Sequence, residues 1–186
     1  IKCANDPIYF IRNYVTIVHV DRGVVPFDMY DYQEQMVGNF HNNRFNIVKC
    51  PRQIGKTITS VSYILWLSLF NSDQNIAILA NKGDLAREIL DRYQLAYENL
   101  PIWLQQGVKV WNKGNIELEN GSKVLASATS SNAIRGGAFT LVFLDEFAFV
   151  PPNIAEKFFT SVYPVISSGQ TTKMIIVSTP NGIDRK

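Results

Sequence analysis

The sequence predicts an α/β fold with a mainly parallel central sheet flanked by helices, plus a small antiparallel hairpin insert. Three observations carry that reading. Strand-like and helix-like runs alternate along the chain, the pattern of a sheet covered on both faces. The strand-like run Phe45-Asn46-Ile47-Val48-Lys49 leads through a short loop into the helix-like run Ile58 to Phe70. Further on, Leu141-Val142-Phe143-Leu144 is an uninterrupted apolar run, as a strand buried on both faces requires, and it ends in two acids, Asp145 and Glu146.

Taken in order, strands are expected at residues 45–50, 75–80, 122–127, 141–146 and 173–178. The run Ile58 to Phe70 is interrupted by Thr59, Ser60, Ser62 and Ser68 and is too short to span a bilayer, so it reads as a buried core helix. Asp84 to Leu100 is a second helix: Leu85, Ile89, Tyr93, Ala96 and Leu100 share one face, and Glu88 stands four residues before Arg92. Val108–Trp111 and Ile116–Glu119 are short strands, and Asn120-Gly121 is a hairpin turn, which makes this insert antiparallel. Asn153 to Ile166 is a third helix, expected to bend or end near Pro164, which brings no N–H to the helical ladder.

Composition sets bounds. With 186 residues, 46% of them hydrophobic, the chain is the size of one α/β domain with its own core, and residues 1–186 are read as a single domain. A net charge of +2 with 18% charged residues is not that of a polybasic protein, so any contact with nucleic acid must be local. Cys3 and Cys50 are the only cysteines, and His19 and His41 lie at no metal-ligand spacing from them, which argues against disulfides and structural zinc and fits a reducing compartment. Ile1 is not an initiator methionine and no signal-peptide pattern opens the chain, so an excerpt of a longer protein is expected.

The loop Cys50-Pro51-Arg52-Gln53-Ile54-Gly55-Lys56-Thr57 carries the chemistry. A strand–loop–helix of this kind curls backbone N–H groups around a polyphosphate, sends a lysine to the β and γ phosphates and sets a Ser or Thr hydroxyl on magnesium. Gly55, Lys56 and Thr57 supply the second half of the G-x-x-x-x-G-K-[ST] pattern, while Cys50 replaces its first glycine and Arg52 sits inside the loop. A buried strand ending in carboxylates delivers them to the carboxyl edge of the sheet, where ligands sit in open α/β folds. There Asp145 holds magnesium and Glu146 orients the attacking water; the blander reading has both acids merely ending a strand and capping a helix. Together the two motifs narrow the fold to a P-loop NTPase of the RecA-like (ASCE) kind.

Two further segments are ambiguous on the sequence alone. Asn81-Lys82-Gly83-Asp84 matches the N-K-x-D guanine reader of GTPases, but it precedes the acidic strand instead of following it, so Asn81 or Asp84 is expected to cap a helix. Tyr32 and Gln33 read as a core aromatic and a surface residue.

The arginine-bearing loop, the pair Asp145-Glu146 followed by Phe147-Ala148-Phe149-Val150-Pro151, and Ser178-Thr179-Pro180-Asn181-Gly182 after the last strand form a set. Together they resemble the ATPase domain of the large terminase, the DNA-packaging motor of tailed bacteriophages, most of all its T-even-like branch. The resemblance covers about Tyr30 to Gly182. It implies an Mg2+-dependent ATPase in which residues 50–57 bind nucleotide, Lys56 and Thr57 hold phosphates and magnesium, Asp145 completes the metal site and Glu146 is the catalytic carboxylate. Arg52 takes the place of a phosphate-sensing or finger arginine. Tyr32 and Gln33 match the adenine-recognition element, Ser178, Thr179 and Pro180 the motif coupling γ-phosphate loss to movement, and Arg135 a family motif or a plain loop arginine. The resemblance further implies double-stranded DNA, a portal protein and a small terminase subunit as partners, a ring oligomer, no membrane, the host cell cytoplasm, and a C-terminal nuclease that this chain lacks. The alternatives are a helicase-type P-loop ATPase and a nucleotide-binding module without turnover; Arg52 speaks against the first and Glu146 against the second.

Overall fold

The computed structural model describes residues 1–19, 21–130 and 137–181. Two short helices open it, α1 (Lys2–Asn5) and α2 (Pro7–Tyr14), the second started by Asp6, whose carboxylate accepts the Tyr9 N–H at 2.9 Å, with Pro7 in its first turn. An antiparallel hairpin of β1 (Thr16–His19) and β2 (Gly23–Pro26) and helix α3 (Asp31–Asn42) follow. None of these elements was expected from the sequence.

From there the expected alternation holds: β3 (Phe45–Lys49), α4 (Lys56–Phe70), β4 (Asn75–Ala80), α5 (Gly83–Glu98), β5 (Val108–Trp111), β6 (Asn115–Leu118), β7 (Lys123–Ala128), β8 (Leu141–Asp145), α6 (Pro152–Ser168) and β9 (Lys173–Ser178). The strands β3 to β9 form one seven-stranded sheet in the order β3-β9-β8-β4-β7-β6-β5. The five strands from β3 to β7 in that order run parallel, and β6 and β5 add the antiparallel insert, β6 turning into β7 at Gly121 with φ +85°. Helix α6 does not end near Pro164 but continues to Ser168. Pro164 and Thr160, whose carbonyl loses its helical partner there, are both exposed, on the side of the helix away from the core.

The pleat sorts the core. Leu141 and Phe143 of β8 and Ile76 and Ile78 of β4 point to the face covered by α4 and α5, with Tyr63, Leu65 and Tyr93. Val142, Leu144, Ala77 and Leu79 point to the opposite face, covered by Phe158, Val162 and Ile166 of α6. The polar residues of α4 are accommodated because their hydroxyls bond carbonyls of the preceding turn: Thr59 to Gly55, Ser60 to Lys56 and Ser62 to Ile58.

Candidate nucleotide site

β3 ends at Lys49, and the Cys50 N–H donates to the Ser178 carbonyl at 3.2 Å, tying the loop to the end of β9. Cys50 is buried, and because its φ is not positive the position needs no glycine. Its thiol is pushed up by burial and by the nearby Glu146 and Asp145 charges, against the pull of Lys56. Gln53 (φ 63°) and Gly55 (φ 75°) make the left-handed turns that close the loop, and Gly55 sets the start of α4. A Cβ on Gly55 would stand 2.5 Å from Gln33 Nε2, so close approach as well as conformation requires glycine there.

Gln33 is a buried residue, not a surface one. Its Nε2 donates to the Ile54 carbonyl at 3.0 Å while its Oε1 accepts the Tyr30 N–H at 2.9 Å. The Tyr32 hydroxyl reaches the same Ile54 carbonyl at 3.0 Å, and its ring, 40% exposed rather than core, stacks on Tyr30 at 5.6 Å. The start of α3 thus clamps the phosphate loop. Beside it lies a cavity of about 430 Å3 walled by Tyr32, Gln33, Ile54 and Gly55 on one side and by Ile17 and Val25 of the hairpin on the other. The hairpin's part in this wall was not anticipated from the sequence.

On the opposite side, β8 brings Asp145 and Glu146 to the loop. The Thr57 hydroxyl donates to Asp145 Oδ2 at 3.2 Å, and Lys56 Nζ meets Glu146 Oε1 at 2.7 Å with the lysine almost wholly buried. Glu146 Oε2 accepts the Thr179 N–H at 3.0 Å, the Thr179 hydroxyl at 2.9 Å and the Ser178 hydroxyl at 3.4 Å. To reach these partners Glu146 takes a left-handed conformation, φ 49° and ψ 41°, which a non-glycine residue adopts at a cost in strain. The two acids are electrostatically unlike. Burial raises the Asp145 carboxyl above its ordinary value, and the Glu146 charge adds to this against the Thr57 bond and Lys56. Burial also works on Glu146, yet Lys56 and the two Thr179 donors outweigh it and hold that carboxyl below its ordinary range.

Thr57 and Asp145 fit magnesium. A hydroxyl and a buried carboxylate side by side are hard oxygen donors, and such an ion takes one or two protein oxygens with phosphates and waters completing its shell. Among the described residues no three His, Cys, Asp or Glu side chains gather into a cage.

Arg52 is exposed and makes no hydrogen bond or ion pair among the described residues; with Lys56, Asn81, Glu146 and Thr179 it lines a cavity of about 390 Å3. Pro51 and Pro180 are exposed as well, Pro180 facing a separate groove with Lys49 and Phe147. Arg135 lies outside the described residues. The capping role expected for Asn81 or Asp84 is not found: Lys82 is the N-cap of α5 and no side chain caps it, while Asp84, inside the first turn, pairs with Arg87. Asn81 instead faces the cavity of Lys56 and Glu146. Its place at the carboxyl end of a buried strand, the same edge that presents Asp145, was a signal available in the sequence.

The model of the family described as terminase large subunit, T4likevirus-type, N-terminal, matches residues 47–185. Among solved structures, the chain is similar to the large terminase of bacteriophage HK97, with TM-score 0.73 and 18% identity over 94% of this chain and 37% of that one. It is similar also to the large terminase of the thermophilic bacteriophage D6E in complex with ADP, with TM-score 0.61 and 16% identity over 83% of this chain and 39% of that one. A DEAD box protein from the hyperthermophile Methanococcus jannaschii shares the fold at TM-score 0.53, with 17% identity over 90% of this chain and 52% of that one. The chain spans well under half the length of the two terminases.

Proposed function

Since the chain belongs to the T4-like terminase large-subunit family, as an N-terminal part, we propose that it is the Mg2+-dependent ATPase domain of a motor that drives double-stranded DNA into a viral procapsid. The observation that carries this reading is the chain of contacts from the phosphate-loop lysine through Glu146 to Thr179. A binding module needs Lys56; it has no use for a carboxylate wired to the strand next to the loop.

ATP lays its phosphates on the N–H groups at the start of α4, and Lys56 leaves Glu146 Oε1 for the β and γ phosphates. That departure frees Oε1 to orient the attacking water. Thr57 and Asp145 would hold magnesium, which would supply positive charge against the phosphates. Arg52, free at the cavity mouth, swings onto the γ-phosphate and stabilises the charge that develops there. Gln33 has one N–H and one lone pair left beyond its two bonds, the complement of the adenine N6 and N7 edge, and Tyr32 flanks the base. After phosphate is lost Lys56 returns to Glu146, and the shared bonds carry the change to Ser178 and Thr179.

Within this reading residues 1–186 are one ATPase domain acting beside a nuclease in the full subunit, in a ring with portal protein and small terminase as partners, in the host cytoplasm. No helix among the described residues is long and apolar enough to cross a membrane. Phosphate release from Mg-ATP, measured with and without double-stranded DNA and the small subunit, tests it. DNA-stimulated release that Lys56→Ala abolishes is expected; equal release by the variant overturns the reading.

A further inference from the structure

One polar side chain at the cavity of Lys56 and Glu146 is left over by everything above. Asn81 Oδ1 is buried and has no hydrogen-bond partner among the described residues, although buried amide oxygens are nearly always paired. It does not cap α5. The sheet register says what it stands beside. β4 and β8 pair in parallel with Ala77 opposite Val142 and Leu79 opposite Leu144, on the face covered by α6. Just beyond these pairs the chain leaves both strands, and Asn81 and Glu146 line one cavity with Lys56. The same row extended on the other side, from Leu144 opposite Ile176, sets Glu146 level with Ser178, and there the side chains do meet, at 3.4 Å.

We propose that Asn81 is a second water-orienting residue of the hydrolysis, its Oδ1 accepting one O–H of the attacking water while Glu146 Oε1 accepts the other. This rests on the reading of Glu146 given above. A water nucleophile carries two O–H bonds, and one acceptor leaves it free to rotate about the other; two acceptors turn its lone pair onto the γ-phosphorus. As the water oxygen bonds to the γ-phosphorus, the bond from that phosphorus to the β–γ bridging oxygen breaks, and its electron pair leaves on ADP. Glu146 takes one water proton and passes it to the departing phosphate. Asn81 neither gains nor loses a proton, so its role is that of geometry alone.

The test compares wild type with Asn81→Leu, near in size and without an acceptor, and Asn81→Asp, which keeps one. Phosphate release is followed with DNA present, and Mg-ATP affinity is measured separately. Asn81→Leu is expected to lower kcat by about 10–100-fold with affinity within about twofold. Asn81→Asp is expected to restore kcat to within about tenfold of wild type. Arg52, Lys56 and Glu146 are the charged groups that line the cavity with it. A merely structural Asn81 would lose affinity and kcat together. Wild-type kcat in Asn81→Leu, equal losses of kcat and affinity, or Asn81→Asp without rescue would each overturn the proposal. Should Asn81→Leu not fold, Asn81→Ala takes its place with the same split between kcat and affinity expected. Glu146→Gln in the same assay separates the two claims: full hydrolysis there would remove the Glu146 reading itself, whereas its loss beside an unaffected Asn81→Leu removes only this one.

Discussion

Replacing Glu146 with Gln changes one atom at the point where the loop, the acid strand and β9 meet, and the structure says what each end of the amide can and cannot keep. Oε1 holds the Lys56 ammonium at 2.7 Å, and Oε2 takes the Thr179 N–H at 3.0 Å and its hydroxyl at 2.9 Å. An amide accepts at one end only, so the variant loses either the lysine or the threonine donors, and in both cases the charge opposite a buried Lys56. Charge-assisted bonds contribute about 1.5–3 kcal/mol each. The Glu146 side chain is 29% exposed, so solvent screens part of this, and a net loss of about 2 kcal/mol is expected, a fall of roughly 4–8 °C in Tm for a domain of this size. With Mg-ATP bound, Lys56 sits on phosphate and the deficit disappears. Wild type must break the Lys56–Glu146 pair in order to bind and the variant need not, so Mg-ATP affinity is expected to hold or improve, within roughly tenfold or about 1.4 kcal/mol. Hydrolysis falls by about 10²–10⁴ for want of the base. Thermal melts with and without Mg-ATP, calorimetric titration and phosphate release check the three statements. Parallel losses of affinity and rate, or a Tm deficit that persists under saturating nucleotide, would refute the reasoning and make Glu146 a ligand or a structural residue.

Lys56→Ala is expected to keep the fold, since it removes little from the core, and to abolish nucleotide binding or turnover; melting temperature and ATP titration check it. Asp145→Asn is expected to raise Tm at neutral pH while weakening magnesium-dependent ATP binding. The sign follows from the raised carboxyl of Asp145: its contribution to stability is present below the ordinary aspartate value and is lost as pH rises through the folded value, so the gain in the variant vanishes in acid. Glu146 runs the other way, its contribution present above the ordinary glutamate value and lost as pH falls through the lowered folded one. For the base, ATP is expected to bind better than GTP, with the preference reduced in Gln33→Ala and unchanged in Asp84→Ala; a GTP preference that depends on Asp84 would reverse the assignment.

What the sequence disclosed was whatever is local. Phe45–Lys49, the loop and α4 are contiguous and announce themselves, as does the apolar run of β8, because burial on both faces leaves no polar interruption to confuse its period. The elements α1, β1 and β2 carry too few residues for a period to show; α3 has a helical row in Gln33, Met36, Val37 and Phe40 but begins it with a polar residue, which acts through Ile54, 21 positions away. Two turns at Gln53 and Glu146 use left-handed backbone without glycine, which no residue-type signal predicts. Pro164 does not end α6 because both it and Thr160, the residue four before it, are exposed. The strand order, too, rests on pairings between distant segments, and with it went the chance to set Asn81 beside Glu146.

On the proposed function, that order also accounts for one site both cutting a phosphate bond and moving something. β9 lies between the strand that enters the phosphate loop and the strand that carries the acids. The Ser178 carbonyl therefore takes the Cys50 N–H from the loop, while the Ser178 hydroxyl and Thr179 bond Glu146 and the Ala148 N–H reaches the Ser178 hydroxyl at 3.1 Å. Were β3 and β8 adjacent, the loop and acids would form a closed hydrolytic pair, and no third strand would sense which partner Lys56 had chosen. With β9 between them, any shift of Glu146 between lysine and water alters bonds on the segment that leads out of the sheet through Pro180 and Asn181, whose side chain is bonded to the Ala148 carbonyl at 3.0 Å. On the proposed function, the mechanical output of hydrolysis is therefore expected at the end of β9.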